Sequence, residues 1–248
     1  MPMINSSQAI AALQEIYRFH ASWASELDLA CHKGCAACCT RNVTLTEAEG
    51  QLILNGLQEQ ARLDWLSQRL QLKGRIGRPV MTTNEWARDC FEGREISGQE
   101  PDQVLAPCPF LDQDQGCAMY SLRPFACRCF GSSVDCGRTG MAEQPDILME
   151  VNTVTLQIIE HLGQGNCWGN MLDVLPMMIR KNEFRQENKN NGKLRPEKTG
   201  QYLRRARPLP GFLVMPDQQA AVQAYLDDIF TIRIYRTTTI GALLQINV

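Results

Sequence analysis

The run Cys31-His32-Lys33-Gly34-Cys35-Ala36-Ala37-Cys38-Cys39 places four thiols at successive spacings of four, three and one. They cannot all pair as disulfides without strain, because a disulfide accepts only a narrow range of Cα separations and dihedral angles. They can converge on a soft metal ion or an iron–sulfur cluster, both of which prefer thiolate ligands. This run therefore predicts a loop-rich metal centre, and the rest of the chain reads as the scaffold around it.

Outward from the run, ten of the eleven cysteines lie between residues 31 and 136. A second group comprises Cys108, Cys117, Cys127 and Cys129, with Cys136 trailing it. Phe110-Leu-Asp-Gln-Asp-Gln-Gly-Cys117-Ala-Met-Tyr120 has the turn chemistry of a small β-hairpin with Asp114 and Gly116 at its tip, which would return Cys117 towards Cys108. The candidate ligands are Cys31, Cys35, Cys38, Cys39, Cys108, Cys117, Cys127 and Cys129, whereas Cys136 stays open between ligand and buried thiol. Adjacent side chains such as Cys38 and Cys39 diverge, so one of the two can serve a second metal, bridge, or remain free. Uniting the two groups closes a loop of roughly seventy residues, which couples metal binding to folding. Four thiolates around a divalent ion or an oxidised four-iron cluster leave about two negative charges. Arg123 and Arg128, with Lys33 and Arg41, lie beside the ligands in sequence and can offset them. Cys90 and Cys167, isolated in the chain, read as buried small apolar groups. His32 adjoins a ligand and points away on this reading, while His20 and His161 fall on expected helices and read as core or surface residues.

The scaffold pattern is mainly α. Residues 6–28 carry Ile10, Leu13, Ile16, Tyr17, Trp23 and Leu27 at helical spacing behind a Ser6 or Ser7 cap. Val43–Thr46 is a short extended piece, and Thr46-Glu-Ala-Glu49 has capping-box form, opening a helix to about Leu70. A short helix starts at Thr83, and a single turn is expected near Ser121–Pro124. Longer helices follow at 146–162, at 171–184 with Pro176 as a disturbance, and at 217–230 before a strand at 231–235. The expected organisation is a cysteine-cluster module over 1–144, then a helical region over 145–248 with a polar basic linker near 185–200.

Composition narrows the function classes. A chain of 248 residues with 44% hydrophobic and 21% charged residues suits a globular protein with a substantial core. No basic-then-apolar leader opens it, and no run approaches the roughly 18 apolar residues a membrane span needs, so a cytoplasmic, non-membrane location is expected. Reducing conditions there disfavour structural disulfides and favour metal. The net charge of −2 hides an asymmetry: ten Lys or Arg against three Glu between Arg180 and Arg207 give that segment +7 and the remainder −9. A solvated linker is the plain reading of that stretch, and a basic surface for a protein partner is the functional one. A nucleic-acid role is not expected.

Cys35-Ala-Ala-Cys38-Cys39, Pro107-Cys108-Pro-Phe-Leu-Asp112, Gly116-Cys117-Ala-Met-Tyr120 and Arg123-Pro-Phe-Ala-Cys127-Arg128 together resemble the YkgJ-like CxxCxxCC cysteine-cluster family, over about residues 31–130. The resemblance implies a zinc- or iron-chelating domain, and some members are labelled iron–sulfur proteins. The departure is Cys31, four rather than three positions before Cys35. A more distant likeness, through the cysteines alone, is to flagellin lysine N-methylases, which implies a cluster-dependent protein-modifying enzyme as an alternative. The Cys31-x3-Cys35-x2-Cys38 spacing is also that of radical S-adenosylmethionine enzymes. The small Ala37 before the last cysteine and the lack of repeating strand–helix units argue against that class. No phosphate-binding glycine loop, nucleophile elbow or H-E-x-x-H helix is present. The excess of thiols favours an iron–sulfur cluster with a structural, carrier or redox role. Zinc in a structural or interaction module is the alternative.

Overall fold

The computed structural model of the chain describes residues 4–95, 104–112, 114, 116–187, 202–235 and 238–245. It is mainly α, as the apolar periodicity predicts, with ten helices and two small antiparallel sheets among the described residues. Helix α1 (Ser6–Ala24) starts one residue earlier than the serine caps suggest. Asn5 accepts from the Gln8 N–H at 2.9 Å while the Gln8 side chain accepts the Asn5 N–H, a reciprocal capping box. Strand β1 (Thr44–Thr46) runs directly into α2 (Glu47–Glu59) through the Thr46/Glu49 capping box. The expected continuous helix to Leu70 is instead two helices. Ala61 adopts a left-handed φ of 54°, and the chain turns there before α3 (Leu63–Leu70). Thr82 and Glu85 form a third capping box at the start of α4 (Thr83–Phe91).

A 3-10 turn (Tyr120–Leu122) and α5 (Phe125–Arg128) occupy the place of the single turn expected there. One-turn α6 (Cys136–Thr139) precedes the long α7 (Asp146–Leu162), whose limits match its apolar pattern. Strand β2 (Cys167–Asn170) then leads into α8 (Met171–Glu187), which continues through Pro176. Strand β3 (Arg204–Arg205), α9 (Gln219–Thr231), the β4–β5 pair (Arg233–Tyr235 with Thr238–Thr239) and α10 (Ile240–Leu244) complete the chain. The main sheet has the order β1-β2-β3, with Thr44 opposite Asn170 and Cys167 opposite Arg205. Its β1–β2 pairing joins residues more than a hundred positions apart, a pairing that no local pattern announces.

Two apolar cores result, and each draws on residues from both sides of position 144. The first packs Leu13 and Ile16 of α1 against Val151, Val154 and Ile158 of α7 and against Ile229 of α9. The second packs Ile53 and Leu57 of α2 and Leu66 of α3 against Phe110, Met119 and, on α8, Val174 and Leu175. His20 and His161 are core histidines. His20 pairs with Asn152 at 2.8 Å, while His161 accepts the Leu209 N–H and meets the Leu244 carbonyl. Burial lowers the pKa of both, so they are neutral at pH 7.

Of the basic segment, residues 188–201 lie outside the described residues. Within the described part, Lys181 pairs with Glu47, and Arg204 and Arg207 both pair with Glu85. Arg205 donates to the Gly165 carbonyl. Among the described residues no helix is long and apolar enough to cross a membrane.

Asn170 ties the sheet to the exit of the cysteine run. Its buried amide donates to the carbonyls of Arg41 at 2.6 Å and Gly77 at 2.7 Å, and its side-chain oxygen accepts the Leu172 N–H at 2.9 Å. Asn170→Leu strands all three backbone groups, and equilibrium denaturation should show a loss of about 2–4 kcal/mol. An unchanged midpoint would contradict this role.

Candidate metal centre

The cysteine run enters from α1 as a chain of tight turns. The Cys35 N–H donates to the His32 carbonyl and the Cys39 N–H to the Ala36 carbonyl, while Gly34 takes a φ of 100° that only glycine adopts without strain. Residue 39 then meets the second group through the backbone. The Cys108 N–H donates to the Cys39 carbonyl at 3.0 Å, and Thr40 and Pro107 form an antiparallel bridge. The expected hairpin is present as a Leu111–Cys117 bridge flanked by Ala118 N–H to Phe110 C=O at 2.9 Å, with Asp112 accepting the Gly116 N–H. It sets Cys117 close to Cys108. Helix α5 presents Cys127, and Cys129 follows as its cap.

All eight sequence-predicted ligands line one cavity of about 730 Å³. Cys31, Cys35, Cys38 and Cys39 come from the first group, and Cys108, Cys117, Cys127 and Cys129 from the second. Arg123 and Arg128 line it as well. The cavity sits at the seam of the two cores: Cys129 packs on the first, Cys108 and Cys117 on the second. The cysteines are free thiols. As their side chains stand, no three or more His, Cys, Asp or Glu groups among the described residues are gathered to hold a single metal ion. Cys90 and Cys167 lie away from this cavity but are half-buried and not the buried groups expected, and Cys136 is outside the cavity lining as well.

The electrostatics describe thiols short of positive charge. Burial pushes the Cys127 thiol well above its ordinary value, and the Cys108 and Cys117 thiols beside it add to the effect. Burial also raises Cys31, Cys108 and Cys117, and takes Cys129 up to about 12. Cys38 is the exception: a hydrogen bond from Cys39 brings it down to about 6, assisted by the charge of Arg123. Cys39, holding the shared proton, is raised in turn. The Arg123 guanidinium stacks 3.6 Å from the Tyr120 ring centre and donates to the Tyr120 carbonyl. Arg128 lies 4.6 Å above the Tyr17 ring and is fixed by the Arg123 and Ser121 carbonyls. Both arginines line the cavity and are held there by aromatic rings and backbone carbonyls.

Sequence reasoning missed Glu49 beyond its capping role. Its buried carboxylate accepts from Tyr17 Oη at 2.7 Å, from the Phe125 N–H at 2.9 Å and from the Thr46 N–H at 2.8 Å. It thereby caps α5, the turn that carries Cys127, from a different helix. The only signal in sequence was the capping box itself, which gives no hint of a long-range partner.

Chemically, the donor set defines a cysteine-rich metal-chelating module: soft, dense in sulfur and flanked by fixed cations. Residues 30–151 match the model of the CxxCxxCC family, described as "Putative zinc- or iron-chelating domain". No curated protein and no solved structure matches the chain.

Two outcomes test this geometry. Glu49→Gln puts an amide N–H where an acceptor is needed, and should cost about 1–3 kcal/mol of stability by denaturation while weakening metal retention. Equal stability and retention would show that Glu49 does not position α5. Metal affinity should also rise with pH. Thiols raised above their ordinary range are protonated at pH 7, whereas a bound metal requires thiolate. Binding therefore releases protons, and affinity should gain about tenfold per pH unit for each proton released. Competition against a chromophoric chelator at pH 6 and pH 8 measures the slope, and a flat profile would contradict it.

Proposed function

We propose that the chain is an iron–sulfur protein of this zinc- or iron-chelating family, with Cys35, Cys38, Cys39, Cys108, Cys117 and Cys127 as the core of its thiolate set. The observation that carries this reading is the number of thiols on one cavity: eight cysteines line it, twice what a single four-thiolate zinc ion takes. A four-iron cluster takes four of them and leaves the others for a second site or for redox work. When bound, the cluster would supply electron transfer or a charged structural node. Arg123 and Arg128 would offset the charge of the thiolates and favour the ligand-competent, deprotonated state.

The role this supports is structural, carrier or redox, in a protein with no membrane-crossing helix among the described residues. The wider cysteine likeness to flagellin lysine N-methylases extends to no residue outside the thiols, and so it favours no substrate.

Anaerobic purification of the full chain, with metal and sulfide analysis and a visible spectrum, tests the reading. The expected result is a brown protein with iron, acid-labile sulfide and broad absorption near about 400 nm. A colourless protein with stoichiometric zinc after the same handling would replace it with the zinc alternative.

A further inference from the structure

The cavity is larger than the metal chemistry of its thiols requires. A zinc ion lies about 2.3 Å from the sulfurs that hold it, so a centre bonded to wall cysteines takes up only the space beside them. The whole cavity measures about 730 Å³, within the range of roughly 300–1,000 Å³ that pockets for small organic molecules occupy. A stretch of its wall is apolar and carries no thiol: Ala21 and Ala24 of α1, Leu156 of α7 and the Phe130 ring after α5. The His20–Asn152 and Asn152–Cys129 hydrogen bonds, at 2.8 and 2.6 Å, hold these three elements together. Leu156 packs on the first core, so the wall is the edge of a solid layer. Ala21, Ser25, His32 and Phe130 line the cavity and are exposed, so it opens to solvent there.

Arg123 is the polar anchor of this space. Its guanidinium is fixed on one side by the Tyr120 ring, 3.6 Å away, and by an Nε–H donated to the Tyr120 carbonyl at 3.1 Å. Among the described residues its two terminal nitrogens have no hydrogen-bond partner. A guanidinium held in this way keeps its planar fork for an oxyanion, which takes two parallel N–H bonds from it. Arg128 differs. The Arg123 and Ser121 carbonyls, both at 2.7 Å, occupy its Nε and one terminal nitrogen, and its face lies over the Tyr17 ring. Arg128 is therefore built into the fold, whereas Arg123 has donors to spare.

We propose that the cavity also binds a small organic oxyanion, a carboxylate or phosphate on an apolar body. Its charged group sits on the terminal nitrogens of Arg123 and its body lies against Ala21, Ala24, Phe130 and Leu156. The apolar wall supplies contact area and the guanidinium supplies orientation, the division of labour usual in small-molecule pockets. This site goes beyond metal chelation, because none of its residues is a thiol. It gives Arg123 a second duty besides offsetting thiolate charge.

The full chain, purified anaerobically with the metal it retains, tests this against 8-anilinonaphthalene-1-sulfonate, a fluorescent probe with an apolar body and one oxyanion. N-phenyl-1-naphthylamine, the same body without the sulfonate, is the neutral counterpart. The wild-type chain should bind the sulfonate probe at one saturable site. Arg123→Gln should weaken that binding about tenfold or more and leave the neutral probe within about twofold. Ala21→Trp, which fills the exposed edge of the apolar wall, should weaken both probes. Arg123→Lys keeps the positive charge but loses the fork, and should also weaken the sulfonate probe. It takes the place of Arg123→Gln if that variant yields no folded protein by far-UV circular dichroism. Benzoate and phenyl phosphate as competitors separate the two sources of the oxyanion, and the one that displaces the probe at lower concentration names it. Absence of saturable binding, an unchanged sulfonate affinity in the Arg123 variant, or displacement by neither competitor would each overturn the site. Metal analysis of the same preparation reports separately on chelation. A metal-free chain that binds the probe through Arg123 keeps the oxyanion site and removes the metal reading, and a metal-loaded chain that fails the probe arms does the reverse.

Discussion

One buried carboxylate holds the cysteine scaffold together. Glu49 takes hydrogen bonds from α1 through Tyr17, from α5 through Phe125 and from its own strand–helix junction through Thr46. Each of these elements abuts the cavity. Helix α1 leads into the first cysteine group, α5 bears Cys127, and β1 follows the run after Asn42 and Val43. A carboxylate in an apolar setting survives only if several donors stabilise its charge, and here those donors are the elements that must be aligned. The Arg128 guanidinium over the Tyr17 ring adds a cation on the far side of the Tyr17–Glu49 bond. Polar satisfaction and ligand placement are thus one requirement.

The position of the site between two cores has an energetic consequence. Cys129 packs with the α1/α7 core and Cys108 and Cys117 with the α2/α8 core, so thiols of one cavity belong to two separately packed halves. They are joined at this level by Glu49 of α2, bonded to Tyr17 and Phe125 of the first core, and by short links: the Cys108–Cys39 bond, the Thr40–Pro107 bridge and the Asn170 amide. Loop-closure cost grows slowly with length, so the roughly seventy residues between the cysteine groups are a tolerable excursion once a metal offers strong bonds at its end. Bound metal would therefore stabilise the association of the cores more than either core alone.

How much of this was legible beforehand depended on range. The capping box at Thr46, the helix start at Thr83, the α7 stripe and the Leu111–Cys117 turn are local patterns, and the structure contains each of them. The eight ligand candidates line one cavity because metal chemistry itself is a long-range constraint that spacing encodes. Features set by tertiary contact were not legible. The break at Ala61 has no glycine or proline to signal it, since a non-glycine residue takes the left-handed conformation only when its surroundings compensate. The β1-β2-β3 sheet pairs short strands too distant in sequence to be matched by pattern. The Ala30–Ser132 bond, which lays the segment before Cys136 alongside Cys31, has no signal in the local pattern either.

The thiol energetics link this architecture to its chemistry. Burial pushes the Cys31, Cys108, Cys117, Cys127 and Cys129 thiols up, whereas a hydrogen bond from Cys39 and the charge of Arg123 bring Cys38 down to about 6. A cavity lined by so many thiolates would be strongly repulsive if they ionised together, and the two fixed arginines offset only part of that charge. A multivalent cationic centre removes the repulsion and gains the bonds at once, whereas disulfide formation would draw the sulfurs into pairs and pull the backbone turns apart. A metal held by these cysteines would take the place of their protons, with Arg123 and Arg128 offsetting part of the remaining thiolate charge.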